Sequence, residues 1–130
     1  MLFVDKFSRI PIYEQLVEAM EREIMTGVMK VGGQLPSLRE LSSSLSINPN
    51  TIQKAYAELS RRGIICASPG SGYYVTPDAL DVIRHEKETQ LDTLEATIRE
   101  LAKAGIARER IAAILERVYS TPEESKEELK

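Results

Sequence analysis

Three polar residues, Asn50, Gln53 and Lys54, have side chains that can recognise DNA and lie on the same side of a predicted helix. The amide groups of asparagine and glutamine pair with the edges of bases, and a lysine reaches a phosphate or a guanine. The same residue types also cover ordinary solvent-exposed helices. By themselves, these three residues leave both base recognition and plain solubility open.

The helix that carries this polar face is predicted to begin at Pro49. Asn48 is a favourable N-terminal cap, and proline fits the first helical position because no N–H is needed there. Arg61 and Arg62 followed by Gly63 are typical of a helix C-terminus. Apolar residues at helical spacing predict a buried opposite face, formed by Ile52, Ala55, Tyr56 and Leu59.

Two more helices are predicted before this one, and a hairpin is predicted after it. The first helix lies between Pro11 and Gly27, and the second follows a capping box formed by Ser37 and Glu40. Two strand-like runs, residues 64–67 and 73–75, flank a turn-rich segment at residues 68–72. The glycines in that segment do not predict a phosphate loop, because a strand follows them rather than a helix. Cys66 is expected to be a small buried strand residue, with a redox switch as the alternative.

The order helix, short helix, polar-faced helix and glycine-tipped hairpin predicts a winged helix-turn-helix in an α+β, mainly α fold. Over residues 10–76 the sequence resembles the DNA-binding domain of the GntR family of bacterial regulators. The resemblance rests on residues 35–41, 50–56, 59, 63–65, 70–72 and 75. Pro49 stands where many members carry an arginine that contacts DNA, and Ser46 stands where glycine is common, for which we expect a small strain cost. Asn48, Pro49, Asn50 and Thr51 are similar to the YtrA-like branch of the family.

The resemblance implies a sequence-specific, DNA-binding transcriptional regulator that binds an inverted-repeat operator as a homodimer. Repression is the default outcome, with activation left open. Asn50, Thr51 and Gln53 are expected to read bases, Ser37 and Arg39 to hold the DNA backbone, and the hairpin tip to approach the minor groove. The complete set of expected DNA contacts is Ser37, Arg39, Asn48, Asn50, Thr51, Gln53, Lys54, Gly70, Ser71 and Gly72.

A helical tail is predicted after the winged helix-turn-helix of residues 1–77. It occupies residues 78–120, as one long and one short amphipathic helix separated at Gly105, and a disordered acidic end follows at residues 121–130. One long and one short amphipathic helix cannot enclose a sizeable core alone, so we expect two copies of the chain to dimerise through them, with packing onto the winged helix as the alternative. The expected dimerisation residues are Leu91, Leu94, Ile98, Leu101, Ile111, Ile114 and Leu115.

Composition narrows the kinds of site, activity and location that can be expected for this protein. With one cysteine, Cys66, and one histidine, His85, among 130 residues, neither an internal disulfide nor a metal site of soft ligands is expected. No catalytic set or cofactor loop is present, so neither an enzyme nor a cofactor is predicted. The absence of a long apolar run at the N-terminus or elsewhere predicts a cytoplasmic protein.

The charge is unevenly distributed. The net charge is −3, but residues 30–77 contain five basic and two acidic residues, while residues 78–130 contain nine basic and thirteen acidic ones. A locally basic segment permits DNA binding in an acidic protein. The alternative to DNA binding is a winged helix that serves as a protein-interaction module.

Overall fold

The computed structural model describes residues 2–120, and the predicted acidic end lies outside them. The chain forms two compact units, the first ending at Lys87 and the second beginning at Glu88. The elements are α1 (Ile12–Thr26), α2 (Leu38–Leu45), α3 (Pro49–Arg61), β1 (Ile65–Ser68), β2 (Gly72–Val75), α4 (Ala79–Glu88), α5 (Gln90–Lys103) and α6 (Arg108–Ser120). This order confirms the predicted fold, a mainly α winged helix-turn-helix followed by a helical tail.

The core of the first unit lies between α1 and α3. Leu16 and Met20 of α1 are fully buried, as are Ile52, Tyr56 and Leu59 of α3. Their spacing of three and four residues gives each helix one apolar stripe. Burying a side chain of this size stabilises the fold by about 1.5–3 kcal/mol. Because the apolar face of α3 packs in the core, the polar face of this helix points away from the core.

Side-chain caps fix the starts of α2 and α3, as predicted. The Ser37 hydroxyl accepts a hydrogen bond from the Glu40 backbone N–H (3.0 Å), and the Ser37 N–H donates to the Glu40 carboxylate (2.9 Å). This bond from the Ser37 N–H lowers the pKa of Glu40 below its ordinary value. The Asn48 side-chain oxygen accepts from the Asn50 N–H (2.8 Å), with Pro49 at the first helical position. Local sequence therefore determines where both helices begin.

The turn between α2 and α3 contains the one non-glycine residue with positive φ in the described part of the chain. Ser46 has φ 55° and ψ 49°, the left-handed conformation that glycine adopts most easily. The turn is closed by hydrogen bonds from the Ile47 N–H to the Ser42 carbonyl (3.1 Å) and from the Ser42 hydroxyl to the Ile47 carbonyl (2.6 Å). The backbone conformation explains why glycine would suit this position.

The two strands pair in an antiparallel hairpin, with Ile65 opposite Val75 and Cys66 opposite Tyr74. The strands differ from the predicted runs by one residue, since β1 begins at Ile65 and β2 at Gly72. The prediction that Cys66 is buried was wrong, because its side chain is exposed. Side chains alternate between the two faces of a strand, so burial of Ile65 turns its neighbour outward.

The helix after the hairpin belongs to the first unit. Ala79 and Ile83 of α4 are buried in the same core cluster as α1 and α3. The first unit therefore ends at Lys87 rather than at residue 77. The predicted long tail helix is divided at Thr89, which lies between the end of α4 and the start of α5. His85, predicted on the polar side of this helix, is exposed.

The second unit consists of α5 and α6. They are separated at Gly105, which has φ 88°, and the Ile106 N–H donates to the Leu101 carbonyl (3.0 Å) to close the end of α5. Neither helix has a fully buried residue in the single chain. Within the described part of the chain, no helix is both long and apolar enough to cross a membrane.

Candidate nucleic-acid interface

The polar face of α3 is open to solvent. Asn50 and Gln53 are exposed, and neither side chain forms a hydrogen bond with another described residue. The Asn48 oxygen is occupied by its cap, which leaves the side-chain NH₂ group available as a donor. Thr51 is half-buried beside them. Three amide side chains are thus available at the N-terminal half of α3, where a recognition helix contacts bases.

Lys54 is held at the edge of this face. Its ammonium nitrogen lies 4.0 Å from the centre of the Tyr13 ring of α1. This cation–π contact is worth about 0.5–1 kcal/mol at an exposed site. Binding of Lys54 to another group, such as a phosphate, would compete with this contact.

The start of α2 and the tip of the hairpin line a common groove of about 420 Å³, which brings Ser37 close to Ser71 and Gly72. The Ser37 hydroxyl accepts its cap hydrogen bond but keeps its own proton, which remains free to donate. Arg39, in the first turn of α2, is exposed and makes no hydrogen bond or ion pair with another described residue. This end of the first unit therefore offers donors that suit a phosphate.

Gln34 fixes the hairpin tip, a role that the sequence did not indicate. Its side-chain amide donates to the Ser71 carbonyl (2.7 Å), and its backbone pairs with Tyr74 as an isolated bridge. Gly72 has φ 120°, and a Cβ built there would lie 2.9 Å from the Gln34 amide nitrogen. Glycine is favoured at this position because a side chain would be strained there and would displace the amide end of Gln34.

Tyr56 ties α3 to the segments on either side of it. Its hydroxyl donates to the Pro36 carbonyl just before α2 (2.6 Å), and its ring meets that of Tyr73 on β2 edge-on, with the centres 5.0 Å apart. Burial raises the pKa of Tyr56 well above its ordinary value, so the hydroxyl stays a donor. The sequence predicted only an apolar role for this residue. The structure shows that it sets the positions of α2, α3 and the hairpin relative to one another.

Two comparisons establish the family. Residues 12–75 match the family described as "Bacterial regulatory proteins, gntR family". The HTH-type transcriptional repressor YtrA of Bacillus subtilis (strain 168) is 38% identical over 112 residues, covering 85% of this chain and 86% of the repressor. The chain belongs to the GntR family. The predicted resemblance to this family, and to its YtrA-like branch, is confirmed.

Solved structures show the same architecture. A GntR family transcriptional regulator from Listeria monocytogenes is 39% identical, with a TM-score of 0.69, and the match covers 88% of this chain and 99% of that one. A structure of AraR(DBD) in complex with operator ORX1 is 27% identical, with a TM-score of 0.52, over 58% of this chain and 93% of that one. The GntR-family protein described here is accordingly a DNA-binding transcriptional regulator.

Two of the five basic residues in the segment 30–77 of this regulator are committed to internal ion pairs. Arg61 pairs with Glu58 on the same helix at 2.6 Å. Arg62 contacts Glu21 and Glu86 and is half-buried. The three other basic residues, Lys30, Arg39 and Lys54, are exposed, and none of them forms an ion pair with another described residue.

Proposed function

We propose that this GntR-family regulator represses transcription by binding an inverted-repeat operator as a homodimer. The observation that carries the proposal is the exposed polar face of α3, whose opposite face is fully buried. Asn50 and Gln53 extend from that face without internal hydrogen-bond partners among the described residues. The cap at Asn48 gives this face a defined starting point, which a helix that reads bases in register requires.

In the proposed complex, the N-terminal half of α3 lies in the major groove. Asn50 and Gln53 form bidentate hydrogen bonds with base edges, while Arg39 and Ser37 at the start of α2 hold a backbone phosphate. The hairpin tip at Gly70 and Ser71 follows the adjacent minor groove, since its small residues permit a close approach. These contacts differ in what they confer, because backbone contacts position the protein and base contacts select the sequence.

The second unit supplies the proposed dimer contact. Leu91, Leu94 and Leu101 of α5 are exposed in the single chain, as are Ile114 and Leu115 of α6. Ile98 and Ile111 are half-buried and line a groove of about 450 Å³ between the two helices. An exposed apolar surface of this kind is typical of an association site. A two-fold arrangement would present two copies of α3 to an inverted repeat.

The alternative is a winged helix that binds a protein partner, and salt dependence distinguishes the two functions. Binding of random-sequence duplex DNA is measured from 50 to 300 mM salt. We expect log K to fall steeply with log salt, because each neutralised phosphate contributes about 0.9 to the slope. A protein with no measurable DNA affinity at low salt, or with a flat profile, would refute the DNA-binding mechanism.

Replacing Arg39 by alanine is expected to weaken binding to all DNA sequences equally. A phosphate contact carries no sequence information, so the salt slope becomes shallower while base preference is retained. Mobility-shift titrations of a selected operator and a random duplex measure both effects. Arg99→Ala on α5 is the control, since it removes another exposed arginine, one that pairs with Glu95 in the second unit. If both variants bind both duplexes like the wild type, Arg39 is not a backbone contact.

Replacing Gln53 by alanine is expected to relax sequence preference at one or two base pairs of each half-site. The loss of one good bidentate contact is worth about 1–3 kcal/mol of discrimination. Binding to a library of operator variants gives the preference profile, and the Arg39→Ala variant supplies the contrast because it should leave that profile unchanged. An unaltered profile for Gln53→Ala would mean that this face of α3 does not read bases.

A further inference from the structure

The segment before α1 forms an ordered loop held by one side chain. The Gln15 amide accepts a hydrogen bond from the Asp5 N–H (2.7 Å) and donates to the carbonyls of Asp5 (3.0 Å) and Ile10 (2.8 Å). Leu2 and Val4 pack against the core immediately before the loop. Residues 5–10, which we term the N-terminal loop, are therefore fixed to the first unit at both ends.

This loop brings a cation to the turn of the helix-turn-helix. The Lys6 ammonium group donates to the Ser46 carbonyl (2.9 Å), across forty residues of sequence. Ser46 lies two residues before Asn48, the cap of α3, and its left-handed conformation is the distinctive feature of that turn. Lys6 thus lies beside the N-terminus of α3, although nothing in the sequence connects the two.

The outer surface of the loop is open and carries an exposed arginine. Phe7 is 96% exposed, and Arg9 is exposed without a hydrogen bond or ion pair to another described residue. The nearby carboxylate of Asp5 accepts the Phe7 backbone N–H (2.9 Å). Lys6 has a neutral carbonyl as its partner here, and its ammonium group has two more protons to donate.

We propose that the N-terminal loop is an additional DNA-backbone contact, in which Lys6 binds the phosphate next to the first turn of α3. The inference rests on the proposed function, since it requires α3 to enter the major groove. The groove is bordered by phosphates, so a cation beside the entering end of the helix lies close to one of them. A charged phosphate oxygen is a strong acceptor, and the two remaining protons of the Lys6 ammonium group can donate to it while the bond to the Ser46 carbonyl is kept.

The test compares three variants in salt titrations of random-sequence duplex DNA. Lys6→Gln keeps a donor for the Ser46 carbonyl but removes the charge, and Lys6→Arg keeps the charge. Lys103→Gln removes another exposed lysine, on α5, as the control. We expect Lys6→Gln to make the slope of log K against log salt shallower by about 0.9 for each phosphate that the protein no longer neutralises. Lys6→Arg and Lys103→Gln should keep the wild-type slope.

Three results would overturn this inference or its foundation, and they are distinguishable. A Lys6→Gln slope equal to that of the wild type shows that the loop does not contact DNA. Equal weakening by Lys6→Gln and Lys6→Arg, together with a lowered melting temperature of both, shows that Lys6 only stabilises the turn. A wild-type protein without salt-dependent DNA binding refutes the proposed function itself. A shallower slope for Lys6→Gln alone, at an unchanged melting temperature, supports the loop contact.

Discussion

Replacement of Arg62 by methionine is expected to lower the free energy of unfolding of the first unit by about 3 kcal/mol, the lower end of the range for breaking a buried ion pair. The Arg62 guanidinium lies 3.2 Å from the Glu21 carboxylate and also binds Glu86. The Glu21 side chain is only 7% exposed, so its charge would remain buried without its main partner. Lys87, 3.7 Å from Glu21, offers partial compensation, which places the expected loss at that lower end.

The neighbouring arginine provides the control. Arg61 is 71% exposed, and among the described residues its ion pair is with Glu58 on the same helix. Exposed pairs of this kind contribute about 0.3–0.5 kcal/mol, so Arg61→Met should change stability little. Urea unfolding measures the change in the free energy of unfolding for each variant, and an unchanged m-value shows that the comparison with the wild type is valid. Equal losses for the two variants would show that burial of the Arg62 contacts does not determine their strength.

The contact between Arg62 and Glu86 makes the stability difference between the wild type and Arg62→Met depend on pH. Hydrogen bonding to Arg62 lowers the pKa of Glu86 below its ordinary value of 4.5. A carboxyl with a lowered folded pKa stabilises the fold above its unfolded pKa, and this stabilisation is lost as the pH falls through the folded pKa. The gap between the wild type and Arg62→Met should therefore be largest near neutral pH and shrink below pH 4.5. A gap that is constant across this interval would mean that Glu86 gains nothing from Arg62.

Features that depend on neighbouring residues were predictable from the sequence. The capping box of Ser37 with Glu40 and the cap of Asn48 before Pro49 act within one helical turn, and they place the starts of α2 and α3 correctly. Gly105 likewise acts locally, and it correctly predicts where α5 ends. In each case the hydrogen bond joins residues at most five positions apart, so the sequence contains both partners of the interaction.

Features that depend on distant residues were not predictable in this way. The spacing of Ile83 predicts an apolar face for α4 but does not identify the surface that this face covers, and the structure assigns it to the first unit. Gln34, Lys6 and Arg62 look like ordinary surface residues in the sequence. Each of them has a partner 24 to 41 residues away. Such contacts follow from the tertiary fold rather than from local propensity.

The second unit also has an apolar surface whose covering partner the sequence does not identify. On α5 the residues Leu91, Leu94, Ile98 and Leu101 recur at spacings of three, four and three, which gives one continuous stripe. Leu94 is 53% exposed in the single chain. A helix with such a stripe and no buried residue gains little stability alone, so the proposed association with a second copy would stabilise it by covering the stripe.

Introducing aspartate at both Leu94 and Ile98 is expected to convert the proposed dimer into a monomer, because two unpaired carboxylates would have to be buried in the interface. Operator affinity should then fall by about 10²–10⁴-fold, since the second half-site is no longer bound within the same molecule, while non-specific affinity changes much less. Light scattering and operator titration measure the two effects. The double variant Thr93→Asp with Thr97→Asp is the matched control, because it adds the same charges to exposed positions one residue earlier on α5. If the Leu94 and Ile98 variant stays dimeric, or becomes monomeric yet retains full operator affinity, the second unit is not the dimerisation element on which operator binding depends.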